Sequence, residues 1–283
     1  MLELISEHAC FGGVQRLYSH QSEEIGLPMR FSVFLPPQAR EGKVSALFCL
    51  AGLTCTEETF MIKAGAQRIA AKQGLMLIAP DTSPRGANIP GEADSWDLGI
   101  GAGFYLDATE APWDKHYRMY SYVLELYELI VREFPVLPSS IGITGHSMGG
   151  HGALVLALRN PGLFKTVSAF APICAPSKCP WGVKAFATYL GNEQENWQQY
   201  DASALMEQRH APFPNGILID QGLSDKFLSN QLFPQAFEAA CQKAQQPLEL
   251  RWHADYDHGY YFISTFVEEH IQFHHQTLNW TTP

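Results

Sequence analysis

Ser147 lies in Ile141-Gly142-Ile143-Thr144-Gly145-His146-Ser147-Met148-Gly149-Gly150, a β-branched run that passes through Gly-x-Ser-x-Gly. The small-residue segment His151-Gly152-Ala153-Leu154-Val155-Leu156 follows it. A serine between two such glycines, with a strand before and a helix after, reads as a nucleophile held on a sharp strand-to-helix turn. Gly145 and Gly149 leave space that a Cβ would fill, so the serine hydroxyl can stand clear of the turn. The helix beginning beyond Ser147 directs free N–H groups at any negative charge that develops there, and Met148 is the first candidate oxyanion donor.

A lone serine hydroxyl is a poor nucleophile; it needs a base, and the base needs a group to orient it. On a serine turn of this kind the partners follow in the order acid then histidine, each on a loop after a strand. Gly216-Ile217-Leu218-Ile219-Asp220 reads as a strand and leads into Gln221-Gly222-Leu223-Ser224-Asp225, so the acid is Asp220 or Asp225. Asp220 closes the strand, whereas Asp225 lies in a loop that can reach over the sheet, which favours Asp225. Leu248-Glu249-Leu250-Arg251-Trp252 reads as the last strand, and the loop after it carries His258, the candidate base. The second oxyanion N–H is expected after the apolar run Ala46–Ala51, where Gly52 permits close approach and Leu53 is the candidate donor. The chemistry these residues can perform is acyl transfer. His258 takes the Ser147 proton, Oγ attacks an acyl carbonyl, and the N–H groups of Leu53 and Met148 hold the oxyanion.

The other histidines and the cysteines point elsewhere. His146 and His151 flank the serine and are expected to pack. His270 and His274 have a chelating i, i+4 spacing, but without a third ligand they are expected on a solvated helix face. Cys174 and Cys179 form one C-x4-C pair with no second pair, so no metal site is expected.

The elements that must position the set follow from hydrophobic pattern. Residues 13–20 and 29–35 read as early antiparallel strands, and 46–51 and 75–79 as short apolar strands covered on both faces. A helix is expected over 64–72. Val123, Leu126, Tyr127, Ile130 and Val131 form one stripe of a second helix that stops before Pro135. Residues 82–116 are glycine-rich and aromatic, without period; they are expected to pack at the mouth of the site, with Trp96 a pocket candidate. Thr166–Ala171 reads as another buried strand. Residues 173–213 are expected as an excursion over the site, part lid and part pocket, with Trp181 its leading residue. The fold class is α/β, an α/β-hydrolase fold: a mostly parallel central sheet, helices on both faces, antiparallel strands at the N-terminus. No composition break divides residues 1–283, so one domain is expected.

Length and 46% hydrophobic content allow a substantial core. The formal charge of −10 argues against nucleic acid and anionic membranes as partners. The start Met1-Leu2-Glu3-Leu4-Ile5-Ser6-Glu7-His8 has acidic residues where an export signal is basic then apolar, and no apolar run approaches the roughly 20 residues of a membrane span. A cytoplasmic protein with reduced cysteines is expected.

With these residues in view, the chain resembles the S-formylglutathione hydrolases (the esterase D family) nearly from end to end. The resemblance is carried by Gly52-Leu53-Thr54-Cys55-Thr56-Glu57, Ser83-Pro84-Arg85-Gly86, Ser95-Trp96-Asp97, Gly101-Ala102-Gly103-Phe104-Tyr105 and the Gly145–Ala153 segment. Ala169–Cys174, Cys179-Pro180-Trp181-Gly182, Asp220-Gln221-Gly222 and Tyr256-Asp257-His258 extend it. It implies hydrolysis of S-formylglutathione to formate and glutathione in formaldehyde detoxification, side activity on short carboxylesters, no cofactor, and a homodimer. It assigns the triad to Ser147, Asp225 and His258, and marks Cys55 as a thiol close to the site. Leu223-Ser224, in the Asp225 segment, departs from residues often charged in the family; the change affects a loop and is not expected to touch the chemistry. Lys178 and Lys184 could meet a glutathione carboxylate. A general short-acyl carboxylesterase and an acyltransferase are the alternatives, distinguished by thioester selectivity and by product partitioning.

Overall fold

The structure, a computed structural model, describes residues 2–209 and 211–278. Nine strands form one sheet in the order β1-β2-β3-β5-β4-β6-β7-β8-β9. They are β1 Leu2–Cys10, β2 Gly13–Gln21, β3 Pro28–Leu35, β4 Val44–Leu50, β5 Leu75–Pro80, β6 Val136–Gly145, β7 Thr166–Phe170, β8 Ile217–Gly222 and β9 Leu248–His253. The first three pair antiparallel, β3 pairs antiparallel with β5, and the rest run parallel. Every residue of β4, β5, β7 and β8 is buried, because helices cover both faces of the parallel half. This is the arrangement of an α/β-hydrolase.

The helices are α1 Thr59–Lys63, α2 Gln67–Gln73, α3 Met119–Glu133, α4 Met148–Arg159, α5 Pro180–Leu190, α6 Gln194–Trp197, α7 Ala202–Glu207, α8 Pro234–Lys243 and α9 Tyr260–Leu278. α4 packs on one side of β6 and β7, and α9 on the other. α3 ends where the residue before Pro135 is forced out of helical geometry: Phe134 has φ −119°, ψ 155°.

Several expectations need correcting. The helix expected over 64–72 is α2, which starts only at Gln67; a separate short helix, α1, precedes it, and Gly65 at φ +71° lies between them. The edge strand β1 has no apolar alternation to betray it, since most of its residues are exposed. The excursion expected over residues 173–213 holds α5, α6 and α7, a detail its sequence left open. Asp220 is not the end of its strand, which runs on to Gly222.

His270 and His274 are not on a solvated face. Both are buried on the side of α9 that meets the sheet. The His274 ring nitrogens hydrogen-bond the Thr166 hydroxyl at 2.6 Å and the Ser168 hydroxyl at 2.8 Å, and His270 Nδ1 meets the same Ser168 at 2.8 Å. Ser168 in turn donates to Thr144 Oγ1 at 2.8 Å. Small hydroxyl residues on β6 and β7 thus satisfy both ring nitrogens of His274 and Nδ1 of His270, groups whose burial would otherwise be costly. Gly142 makes the room: a Cβ there would lie 2.2 Å from Thr166 Oγ1 and 2.8 Å from His274 Nδ1. Gly142→Ala is therefore expected to cost about 1–3 kcal/mol, read as a lower urea midpoint at unchanged slope. An unchanged midpoint would mean the histidines do not pack as described.

Candidate active site

The serine turn is built by close approach. α4 starts so near β4 and β6 that a Cβ on Gly149 would lie 2.1 Å from Leu50 O, and one on Gly145 would lie 2.2 Å from Gly149 O. Ser147 between them takes φ 58°, ψ −120°, a conformation a non-glycine residue adopts only under external constraint. The constraint is visible: His146 N–H donates to Leu50 O at 3.0 Å and Ser147 N–H to Phe170 O at 3.0 Å, while Ile173 N–H donates to Ser147 O at 3.2 Å. Strands β4 and β7 therefore hold the turn from both sides.

The loop after β4 passes directly against the serine. A Cβ on Gly52 would come within 3.1 Å of Ser147 Cβ, so a larger residue would push loop and nucleophile apart. Among the described residues, no protein group accepts the N–H of Leu53 or of Met148. Cys55 closes the same loop with its N–H on Gly52 O at 3.3 Å. Its half-buried thiol is pushed up by burial, which keeps it neutral.

Asp225 and His258 come together. His258 Nδ1 donates to Asp225 Oδ2 at 2.5 Å, which leaves Nε2 as the basic nitrogen. Asp225 also accepts from Phe227 N–H at 2.8 Å and from Gln221 Nε2 at 3.4 Å, so its orientation is determined from three directions. The His258 ring lies 4.5 Å from that of His146, the residue just before the serine. His146 is buried with neither ring nitrogen hydrogen-bonded. Burial, with His258 acting in the same sense, holds its imidazole far below the usual histidine range. It is a neutral packing group against His258. His151 also packs, its Nε2 2.9 Å from Phe104 O.

Asp220 is spoken for. Arg251 grips it bidentately at 2.5 and 2.6 Å, and His270 and His253 lie 3.3 and 3.4 Å away. Burial alone would raise its carboxyl, but His270 and Arg251 outweigh that and hold it well below the usual carboxylate range.

The pocket candidates line up outward from the base. Phe227 meets His258 edge-on at 5.0 Å, Trp181 lies 4.6 Å from Phe227, and Trp96 meets Trp181 edge-on at 5.5 Å. Trp181 is buried and Trp96 is 56% exposed, so the row runs from the site to solvent. Beside it Lys184 pairs with Asp97 at 2.5 Å and Ser95 at 2.7 Å, so it is already engaged within the protein. Lys178 is exposed. A surface cavity of about 520 Å³ opens at His258, lined by Ser224, Lys226, Phe227 and Asp257. A larger one of about 760 Å³ lies between β2 and α3 and touches none of these residues. Sequence reasoning missed Phe227 and Gln221; their adjacency to Asp225 in Asp220-Gln221-Gly222 and Asp225-Lys226-Phe227 was the available signal. Among the described residues no three His, Cys, Asp or Glu side chains are grouped to hold a metal, and no helix is long and apolar enough to cross a membrane.

The Esterase family pattern matches residues 22–273. The chain is 55% identical over 280 residues to the S-formylglutathione hydrolase of Rattus norvegicus, covering 98% of this chain and 99% of that one. It is 50% identical over 277 residues to that of Paracoccus denitrificans, covering 98% of each. A solved structure of an S-formylglutathione hydrolase from Agrobacterium tumefaciens superposes with a TM-score of 0.95 at 47% identity, covering 98% of this chain and 99% of that one.

The two carboxylates are separable by experiment. Asp225→Asn is expected to lower turnover by about 10⁴ with folding intact, as a wrong-tautomer histidine does. Asp220→Asn is expected to cost about 1–3 kcal/mol of stability by removing the charged buried partner of Arg251, which keeps Glu269, while the folded fraction keeps its turnover. The reverse pattern, in steady-state rates and urea melts of both variants, would return the role to Asp220.

Proposed function

The chain belongs to the Esterase family and groups with its S-formylglutathione hydrolases, and from that premise we propose that it cleaves S-formylglutathione to formate and glutathione through Ser147, His258 and Asp225. The observation that carries the chemistry is the His258–Asp225 hydrogen bond beside a serine held at positive φ. The full-length identity of 50–55% to S-formylglutathione hydrolases carries the substrate.

His258 Nε2 takes the hydroxyl proton as Ser147 Oγ bonds to the formyl carbon. The carbonyl oxygen becomes an oxyanion between the N–H groups of Leu53 and Met148. Asp225 stabilises the imidazolium, which then gives its proton to the glutathione sulfur as the C–S bond breaks. Water attacks the formyl-serine ester with His258 again as base, and formate leaves as the Ser147 hydroxyl is restored. Preorganised N–H donors of this kind are each worth about 10²–10³ in turnover. No step calls for a cofactor. The row Phe227, Trp181, Trp96 offers the leaving group an aromatic wall, and Cys55 lines the acyl side. The same reading takes residues 1–283 as one domain, a cytoplasmic homodimer, and a role in formaldehyde removal. The one-domain reading rests on the single sheet, and the homodimer, the location and the formaldehyde role on the family resemblance and the sequence composition.

The test compares kcat/KM for S-formylglutathione, S-acetylglutathione and a short p-nitrophenyl ester, with Ser147→Ala as blank. The formyl thioester is expected to exceed the acetyl one by about 10–200-fold, the discrimination a tight pocket achieves for one carbon. Level values for all three would make this a general short-acyl carboxylesterase instead.

A further inference from the structure

The two oxyanion donors are supported very differently. Met148 begins α4 and is fixed by the elbow, whereas Leu53 belongs to a loop with little internal bonding. Between Gly52 and Cys55 the loop makes one backbone bond of its own, 3.3 Å long, and Thr54 stands at φ +67°. Such a loop keeps its shape only if its surroundings determine it.

Those surroundings come from the segment after β5. Arg85 grips Asp81 through Nε to Oδ2 at 3.0 Å and Nη2 to Oδ1 at 2.8 Å, and the same Nη2 donates to Cys55 O at 3.0 Å. Thr82 Oγ1 donates to that carbonyl as well, at 2.6 Å. Asp81 is itself tied down, with its N–H on Arg30 O at 3.1 Å and its Oδ1 accepting Thr82 N–H at 2.7 Å. Gly101 O accepts the Thr54 N–H at 2.8 Å, and Tyr105 OH donates to Ala51 O at 3.0 Å. The loop is thus tied at Ala51, Thr54 and Cys55, and the Cys55 carbonyl carries the one charged tie among these.

We propose that Arg85, held by Asp81, is a positioning residue that clamps the Cys55 carbonyl and so fixes the Leu53 N–H for the oxyanion. The inference rests on the reading of Leu53 as an oxyanion donor. A planar guanidinium suits the task, since its fork occupies both carboxylate oxygens while one nitrogen still reaches the loop; a lysine ammonium cannot match that geometry. A cavity of about 500 Å³ bounded by Arg30, Thr56, Asp81 and Arg85 opens beside the clamp. A small cation can therefore reach the place of the Arg85 head group.

The test measures kcat and KM for S-formylglutathione, the pH profile of kcat/KM, and inhibition by a glutathione thioether bearing a trifluoromethyl ketone. That ketone forms a tetrahedral adduct whose oxygen occupies the oxyanion position. In Arg85→Met, kcat is expected to fall about 10–10²-fold, the range of a displaced donor. Affinity for the ketone should fall by the same factor, KM and the pH profile should stay, and millimolar guanidinium should restore part of kcat. Arg85→Lys should recover little. An unchanged kcat and ketone affinity in folded Arg85→Met, or a loss carried by KM or by a shifted pH limb, would overturn the clamp. If Arg85→Met does not fold, Thr82→Val decides: a smaller parallel loss in kcat and ketone affinity supports the clamp, and a silent variant refutes it. Ser147→Ala separates the two failures. Turnover by that variant would sink the serine mechanism and the clamp together; an inactive Ser147→Ala beside an unaffected Arg85→Met would sink the clamp alone.

Discussion

The space between Gly149 and the carbonyl of Leu50 sets the terms for the rest of the molecule. A Cβ would have to sit 2.1 Å from that oxygen, so helix α4 can start this close to β4 only on a glycine. Because α4 starts there, the chain must reverse within the few residues after Gly145, and Ser147 is left at φ 58°. Strain of this type costs on the order of 1–3 kcal/mol and persists only where the surroundings over-determine it. Hydrogen bonds to Leu50 on β4 and Phe170 on β7 supply that determination, with Ile173 just beyond β7 adding a third, so the elbow depends on the parallel strand order β4-β6-β7 and on the chain leaving β7.

Two buried aspartates five positions apart on β8 and its loop illustrate how environment assigns roles. Asp220 faces a guanidinium and two imidazoles, and its charge is consumed in joining β8 to β9 and α9. Asp225 has a backbone N–H, an amide and one imidazole as partners, none of them permanently charged. A carboxylate already neutralised by arginine has little field left with which to stabilise an imidazolium. One that meets only dipoles keeps it. Burial is similar for both, so the choice of partner makes the difference.

What was legible in the sequence was whatever short-range pattern specifies. Gly145-His146-Ser147-Met148-Gly149 needs strand, turn and helix in immediate succession, and the apolar run at Ala46–Ala51 has no other stable use than a covered strand. His258 follows from the order of elements. What escaped depends on contacts between distant parts of the chain. His270 and His274 look like a polar stripe until Gly142, Thr166 and Ser168 are known to face them. The edge strand β1 is exposed and carries no period. Helix α5 packs against the irregular 82–116 segment, so its apolar positions answer to that segment as well as to their own turns: Tyr189 OH accepts from Gly99 N–H and donates to Ala102 O. That double allegiance blurs the helical stripe.

The irregular 82–116 segment has structural consequences out of proportion to its lack of regular elements. Gly101, Phe104 and Tyr105 touch the loop after β4 and helix α4, while Asp97 is paired with α5. The segment therefore spans the loop after β4, helix α4 and helix α5 at once. A triad and an elbow are common to many esterases and say nothing about which acyl thioester enters. In the proposed mechanism selection falls to the leaving-group wall, where Trp96 on this segment and Trp181 on α5 stand edge to face. Because the same segment also ties down Thr54, a change that reshapes the leaving-group wall also pulls on the loop that holds Leu53. In that reading specificity and rate meet in this segment, and they meet again at Phe227, which packs on both His258 and Trp181 and donates its N–H to Asp225.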